Sequence, residues 1–308
     1  MRASVVIPTY NRLHRLQRVV ESLQTQGCPS NVEVEIVVVD DGSTDGTWGW
    51  LHKMTKHSNL IALRQINSGP ARARNRGVEA AGGEIVLFLG DDTEPQPGWL
   101  SAHLETHRIF ASSGPLAVLG YTSFPPEFDS PFLRWINENG AQFGYALIDN
   151  PCAVPFNFFY TSNISLPRAE LIRLGGFRED FPAAAWEDIE FAYRAVADGL
   201  EIRYQPRART LHHHRVQPRT FCRRQRTSGR SAAIFAGIHP ELGEFLGTSR
   251  LTRSAPGGRL RWWGLSLLVA IGEWFDGVVP DRVYHQFLDL CYLEGLAEGL
   301  HSLEADEP

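Results

Sequence analysis

The chain has 308 residues, 43% of them apolar and 21% charged, with a formal net charge of −5 at pH 7. That length holds one large α/β domain with an appendage or two modest domains, and the balance is that of a globular protein, not a disordered or fibrous one. The acidic charge gives no reason to expect nucleic acid as a partner, and the apolar run Leu265 to Ile271 is too short to span a bilayer, with Glu273 interrupting its extension.

Met1-Arg2 leads straight into Val5-Val6-Ile7 and Pro8 without a signal-peptide core. Cys28, Cys152, Cys222 and Cys291 show no paired spacing, so reduced thiols in a cytoplasmic protein are expected. Ser4 to Pro8 reads as a first strand, followed by a Thr9-Tyr10-Asn11 turn. Leu13, Leu16, Val19, Val20 and Leu23 then fall at helical spacing. Val34 to Val39 is a second buried strand ending in Asp40-Asp41-Gly42-Ser43. Trp48, Leu51 and Met54 mark a second helix and Leu60 to Leu63 a third strand. Pro70 opens a helix that runs to Ala81 and stops at Gly82-Gly83. Ile85 to Leu89 is unbroken apolar sequence, the pattern of a strand buried on both faces, and it ends abruptly in Gly90-Asp91-Asp92. A helix near Trp99 to Ile109 and a strand at Ala117 to Gly120 continue the alternation, which predicts a mostly parallel, doubly wound α/β sheet.

Beyond Tyr121 the pattern changes. Pro125, Pro126, Phe128, Pro131, Phe132, Trp135, Pro155, Phe156, Phe158 and Phe159 form an aromatic stretch that reads as pocket wall and loop. Asn163 to Leu166, a short helix to Leu174, a helical stripe behind Trp186-Glu187-Asp188 and a strand at Glu201 to Gln205 restore regularity. From Arg203 to Arg230 there are nine arginines, three adjacent histidines and no acid. This is either a solvated face or, given the complete lack of acids, a surface that meets anions. From Glu241 onward the sequence reads as helices. Trp262, Trp263, Trp274 and Phe275 near Arg259 and Arg261 permit peripheral membrane contact, although a buried helix accounts for the same residues.

Three acidic pairs carry candidate chemistry: Asp40-Asp41, Asp91-Asp92 and Glu187-Asp188. The first two close strands of one sheet and share the edge where open α/β sheets bind ligands. Adjacent carboxylates repel unless a cation or a ring of donors holds them. Asp40 or Asp41 can accept hydrogen bonds from a base or ribose. Asp92 suits a hard cation that also holds a diphosphate. Asp188, at a helix start, is kept ionised by the dipole and able to act as a base. Two of the three have a plainer reading, as a helix cap for Asp92 and an acidic first turn for Glu187-Asp188. Of the three histidines, at most His212 and His214 share a strand face, and no HExxH or cysteine pair supports a structural zinc. Trp186 serves equally as core packing or as a platform for a sugar face.

These segments together resemble a family 2 glycosyltransferase of the GT-A fold. The resemblance rests on Val5-Val6-Ile7-Pro8-Thr9-Tyr10-Asn11-Arg12, Val38-Val39-Asp40-Asp41-Gly42-Ser43-Thr44-Asp45, Gly69 through Arg74-Asn75-Arg76-Gly77, Phe88-Leu89-Gly90-Asp91-Asp92, Gly175-Gly176-Phe177 and Trp186-Glu187-Asp188-Ile189-Glu190, in order over about two-thirds of the chain. It implies inverting transfer from a nucleotide diphosphate sugar to a glycan, lipid-linked or peptide acceptor. In that reading Pro8, Thr9, Tyr10 and Asp40 or Asp41 hold the base, and Gly69 to Arg74, with Arg72, lie along the nucleotide. Asp91 and Asp92 meet the donor, and Asp92 with His212 binds Mn²⁺ or Mg²⁺. Asp188 is the general base, and Trp186 and Glu187 face acceptor or sugar. Arg215, Arg219, Arg223 or Arg224 are candidates to close over the phosphates. One departure stands out: Gly90 occupies the place where the family motif commonly begins with Asp, so a first-acid contact to ribose falls to Asp91. The implied organisation is a catalytic domain over 1–230, with a nucleotide half at 1–122 and an acceptor half at 123–230, followed by a helical extension over 231–308. The implied location is the cytoplasm or the inner face of the membrane. A sugar nucleotidyltransferase is the rival, weakened because no glycine-rich basic loop follows the first strand. A non-catalytic nucleotide-sugar-binding protein of the same fold is the other.

Overall fold

Val5 to Ile7, Ile36 to Val39 and Ile85 to Leu89 have no polar face to offer water, so they run through the middle of a sheet covered on both sides. A computed structural model describes residues 1–27, 32–55, 59–251, 258–274 and 279–306. In chain order the elements begin with β1 (Arg2–Thr9), α1 (Leu13–Gln24), β2 (Glu33–Asp40), α2 (Thr47–Met54), β3 (Leu60–Arg64), α3 (Pro70–Ala80), β4 (Ile85–Leu89), β5 (Thr93–Pro95), α4 (Trp99–Ile109) and β6 (Leu116–Ser123). They continue with α5 (Pro131–Glu138), β7 (Asn163–Pro167), α6 (Arg168–Arg173), α7 (Glu187–Ala197), β8 (Glu201–His212) and α8 (Pro218–Ile238). The short α9 (Gly243–Leu246) and α10 (Thr248–Leu251), then α11 (Gly258–Trp274) and α12 (Asp281–Asp306), complete the chain. Two compact units result, one of residues 1–128, 143–179 and 187–214, the other of 129–142, 180–186 and 215–308.

The first unit holds one eight-stranded sheet in the order β3-β2-β1-β4-β7-β6-β8-β5. β3, β2, β1 and β4 are parallel, as are β6 and β8, while β7 and β5 run against their neighbours. The sheet is therefore mostly parallel, as the alternation predicts. Leu16, Val19, Val20 and Leu23 of α1 pack on it together with Trp99 and Leu104 of α4. α3 lies so close to β1 that a Cβ on Gly77 would run into the Val6 side chain, which explains a glycine inside a helix. Asn163 is a fully buried hub: its Nδ2 donates to Ala208 O (2.9 Å), and its Oδ1 accepts from Trp99 Nε1 (2.7 Å) and His103 Nε2 (3.0 Å).

The second unit is helical. α8 and α12 pack backbone to backbone, since a Cβ at Gly295 would strike the Arg226 carbonyl and one at Gly229 the Tyr292 carbonyl. Cys222 and Cys291 close this seam as a disulfide, with Cα atoms 5.5 Å apart. The expectation of reduced thiols fails for these two, because a separation of 69 residues along the chain conceals that both face one helix–helix contact. Cys152 is a free, exposed thiol, and Cys28 lies outside the described residues. The aromatic stretch also departs from expectation. Ser130 accepts from Leu133 N–H at 3.2 Å and Pro131 opens the helix, so α5 forms where a loop was expected. Its Phe132 packs on Phe221 and Tyr284, with ring centroids 5.9 and 5.1 Å away. No helix among the described residues is long and apolar enough to cross a membrane.

Candidate active site

The site is built where β4 stops. Gly90 N–H donates to Ser162 O at 3.3 Å, which fastens the turn beside the start of β7. Asp91 and Asp92 are both buried there. Thr9 Oγ1 donates to Asp91 Oδ2 at 2.8 Å. Arg12 Nη1 bridges the pair, 3.0 Å from Asp91 Oδ1 and 2.8 Å from Asp92 Oδ2. Arg15 Nη1 approaches Asp92 Oδ2 at 3.4 Å. Burial pushes Asp91 up to about 6, against the pull of Arg12 and with the repulsion of Asp92. Burial acts on Asp92 in the same sense, but the charge of His212, hydrogen bonds from His212 and His214, and Arg12 outweigh it and hold Asp92 well below the ordinary carboxylate range.

β5 and β8 deliver the imidazoles. Their antiparallel register sets Thr93 opposite His212, and His213 N–H donates to Asp92 O at 2.7 Å. His212 ends β8 and His214 lies two residues beyond it, and both rings turn toward Asp92. His212 Nε2 is 3.3 Å from Asp92 Oδ1 and His214 Nδ1 3.5 Å from Oδ2. His213 points to Glu94 instead, its Nε2 2.6 Å from Oε2. Asp92, His212 and His214 thus offer one carboxylate oxygen and two ring nitrogens, all within 4.8 Å of one another. That donor set fits a divalent cation such as Mn²⁺, for which mixed carboxylate and imidazole ligation is suitable. The rings of Phe124 and Phe143 stand beside His212 at 5.6 and 6.2 Å.

Asp188 sits in the first turn of α7. Its Oδ2 accepts from Thr161 N and Oγ1, both at 3.3 Å, and its Oδ1 from Ile189 N at 3.0 Å. Thr161 immediately precedes Ser162, whose carbonyl holds Gly90, so Asp188 is anchored one residue from the fastening of the Asp91-Asp92 turn. Burial and the neighbouring Glu187 push Asp188 up to about 6, while Arg74 pulls it down. Glu187 itself is buried and ion-paired with Arg74 at 2.7 Å.

The remaining expected site residues are distributed as follows. Pro8 is half-buried at the end of β1 and Tyr10 is 46% exposed just beyond it. Asp40 is fully buried; its Oδ1 accepts from Ser43 N, while its Oδ2 makes no hydrogen bond and lies 3.4 Å from Arg64 Nε. Both oxygens of Asp41 are taken by its own chain, from Gln65 Nε2, Ser68 N and Gly69 N. Gly69 has φ +90° and leads into α3, on which Arg72 is exposed and 3.9 Å from Glu179. Trp186 has the left-handed φ of 73°, uncommon for a bulky residue. Its Nε1 donates to Ser228 O at 3.0 Å and its ring packs on Phe235, Phe245 and Tyr292 in the second unit. Arg219, Arg223 and Arg224 lie on α8 of that unit. Arg12 enters the site without having been assigned a role in it, and Arg74, expected along the nucleotide, pairs with Glu187 instead. His214, expected only to share a face with His212, stands beside it at Asp92.

Residues 4–119 match the sequence profile of Glycosyl transferase family 2, in the stretch that carries β1 to β6. The chain carries a domain of this family over that stretch. The chain is 32% identical over 228 residues to the validoxylamine A glucosyltransferase of Streptomyces hygroscopicus subsp. jinggangensis, covering 65% of this chain and 52% of that one. It is 30% identical over 277 residues to the pre-mycofactocin glycosyltransferase of Mycobacterium tuberculosis, covering 87% and 53%. The chain thus spans about half the length of these curated relatives. Among solved structures it is similar to the mannosyltransferase PcManGT from Pyrobaculum calidifontis in complex with GDP-Man and Mn²⁺, with TM-score 0.65, 20% identity and coverage of 97% and 87%. It is also similar to S. aureus TarS 1-349 in complex with UDP-GlcNAc, with TM-score 0.56, 21% identity and coverage of 99% and 92%. These likenesses show the fold: the mixed sheet with its C-terminal helices is of GT-A type.

Proposed function

We propose that the domain is an inverting hexosyltransferase that moves a sugar from a nucleotide diphosphate sugar to an acceptor hydroxyl in bacterial glycan or glycoconjugate synthesis. One observation carries the reading: the turn bearing Asp91 and Asp92 is fastened through Gly90 to Ser162, next to the Thr161 that holds Asp188. A cation-binding carboxylate and a carboxylate of raised pKa on the same sheet edge are what displacement at an anomeric carbon needs.

In this reading Asp92, His212 and His214 hold Mn²⁺ or Mg²⁺, which when bound neutralises charge gathering on the departing diphosphate. Asp91, held by Thr9 and Arg12, faces the donor. Asp40, whose Oδ2 accepts no hydrogen bond, and Tyr10 serve the nucleotide, and Gly69 to Arg72 form its flank. Asp188 takes the proton from the acceptor hydroxyl; with its pKa near 6 it is ionised at neutral pH yet basic enough to accept one. A single base without a second carboxylate nucleophile suits one displacement with inversion, not the two-carboxylate retaining route. The nucleotide sugars named for the two solved relatives support the donor class. A nucleotide-sugar donor speaks for the cytoplasm, whereas the Cys222–Cys291 bond speaks for an oxidising compartment.

The test is a panel of nucleotide sugars scored by acceptor-dependent nucleotide release, with and without Mn²⁺ or Mg²⁺, and with Asp188→Asn as control. Release by wild type alone supports transfer. Equal release by the variant, or donor binding without turnover for every sugar, removes it.

A further inference from the structure

The second unit carries an apolar face that nothing among the described residues covers. On α11, Trp263, Leu267, Leu268 and Ile271 are 70%, 61%, 52% and 46% exposed. Trp263, Leu267 and Ile271 follow at spacings of four and Leu268 lies three before Ile271, so all four share one side of the helix. The other side is already used: Leu265 and Val269 are buried, and Trp262 packs on Phe287 with ring centroids 6.4 Å apart. A contiguous exposed patch of this size on a helix that has a separate buried face marks an interaction surface.

A cavity of about 370 Å³ adjoins this face, with Trp262, Trp263 and Ser266 of α11 on one wall and Arg219, Arg223 and Arg226 of α8 on another. The three arginines follow at spacings of four and three, which puts them on one side of α8. Arg226 is matched by Glu298 and by Glu294, which also lines the cavity. Arg219 and Arg223 are exposed and have no acidic partner among the described residues, and no acid occurs between Arg203 and Arg230. The cavity therefore combines uncompensated guanidinium groups with indole rings at the edge of an apolar face. Anionic phosphate below and hydrocarbon beside it is the complement of such a surface.

We propose that α11 and this cavity seat the protein on an anionic phospholipid surface, with Trp263, Leu267, Leu268 and Ile271 at the headgroup–acyl boundary and the lipid phosphate on Arg219 and Arg223. α11 lies on the bilayer and does not cross it, because a 17-residue helix is about 25 Å long, short of the ~30 Å hydrocarbon core. Trp262, which the sequence left open to membrane contact or to a buried helix, packs on Phe287. The side chains of Arg259, Arg261 and Trp274, and Phe275 altogether, lie outside the described residues. The inference does not rest on sugar transfer.

Co-sedimentation of the full chain with vesicles tests it, using phosphatidylcholine alone and phosphatidylcholine mixed with phosphatidylglycerol. The mixed vesicles should capture the protein, and capture should fall as salt rises. Arg219→Gln and Arg223→Gln should each weaken partitioning about fivefold, and Leu267→Glu should abolish it. All three residues are exposed, and unchanged thermal unfolding confirms that each variant is folded. Equal capture by neutral vesicles, no loss in either arginine variant, or binding of inorganic phosphate without any vesicle capture would overturn the proposal. Because no donor is present, none of these outcomes bears on turnover.

Discussion

Arg74 Nη1 donates to Glu187 Oε1 across 2.7 Å, and both side chains are almost wholly buried. The pair joins α3 to the first residue of α7 and so fixes the backbone from which Asp188 projects. It also sets the charge that Asp188 feels, with Glu187 raising and Arg74 lowering its pKa. The two partners should therefore move the acid limb of the pH–rate profile in opposite directions. Glu187→Gln removes a negative neighbour and should shift the limb to lower pH. Arg74→Met removes a positive one and should shift it to higher pH. Arg74→Met should also cost about 3–5 kcal/mol of stability, because it strands a buried carboxylate. Shifts of the same sign in log(kcat/KM) against pH would dismiss this account of the pair.

Asp188→Asn should lower transfer by about 10²–10⁴-fold, the usual contribution of a general base. Donor binding measured by calorimetry should stay near the wild-type value, since the groups assigned to the nucleotide lie at the ends of β1 and β2 and at the start of α3, and not on α7. In wild type the activity should fall as pH drops through about 6, where Asp188 becomes protonated, and not near the 3.8 of an ordinary aspartate. A limb close to 4 would mean that a different group limits the reaction.

Removing the metal should separate binding from folding. His212→Ala and His214→Ala should each weaken Mn²⁺ binding about 10-fold or more, as loss of a ligand or of its support does, with little change in the fold of β8. Titration of Mn²⁺ by paramagnetic resonance checks this without any turnover. Wild-type affinity in His214→Ala would take that residue out of the ligand set.

How far the sequence reaches depends on what each residue answers to. β4 is legible because five consecutive buried aliphatic and aromatic side chains admit few alternatives to a central strand. β5 is not, since three residues ending in proline carry no periodicity. They are a strand only because β8 runs on to His212 and pairs with them. That same pairing brings His212 and His214 to Asp92, so the ligand set is a property of register between segments more than 110 residues apart, as the partners Thr93 and His212 illustrate. α5 hides behind its proline and aromatic content, although Ser130-Pro131 is a helix-start signal that local reading can use. The Asp40-Asp41 pair looks symmetrical in sequence. In the fold Asp41 is consumed in shaping the 65–69 turn, while Asp40 keeps an oxygen without a hydrogen bond.

Beneath the site, His103 and His107 on α4 share Ser165, with His103 Nδ1 and His107 Nε2 each 2.8 Å from its Oγ. His103 Nε2 must donate to Asn163 Oδ1, which can only accept, so the Ser165 hydroxyl donates to His103 Nδ1 and accepts from His107. With both rings neutral, as burial favours, every proton in these three bonds is placed. Burial accordingly pushes His103 down to about 4, and burial with the nearby His103 pushes His107 down to about 3. The unfolded chain, with histidines near 6.5, takes up protons that the folded chain refuses. Stability from this network is therefore complete above about pH 6.5 and declines as pH falls through 6.5 toward 4, by on the order of a few kcal/mol. Urea unfolding at a series of pH values should show that decline, and His107→Gln should make it shallower. Parallel decline in wild type and variant would mean that acid unfolding begins elsewhere, at the Arg12-linked carboxylates or the Arg74–Glu187 pair.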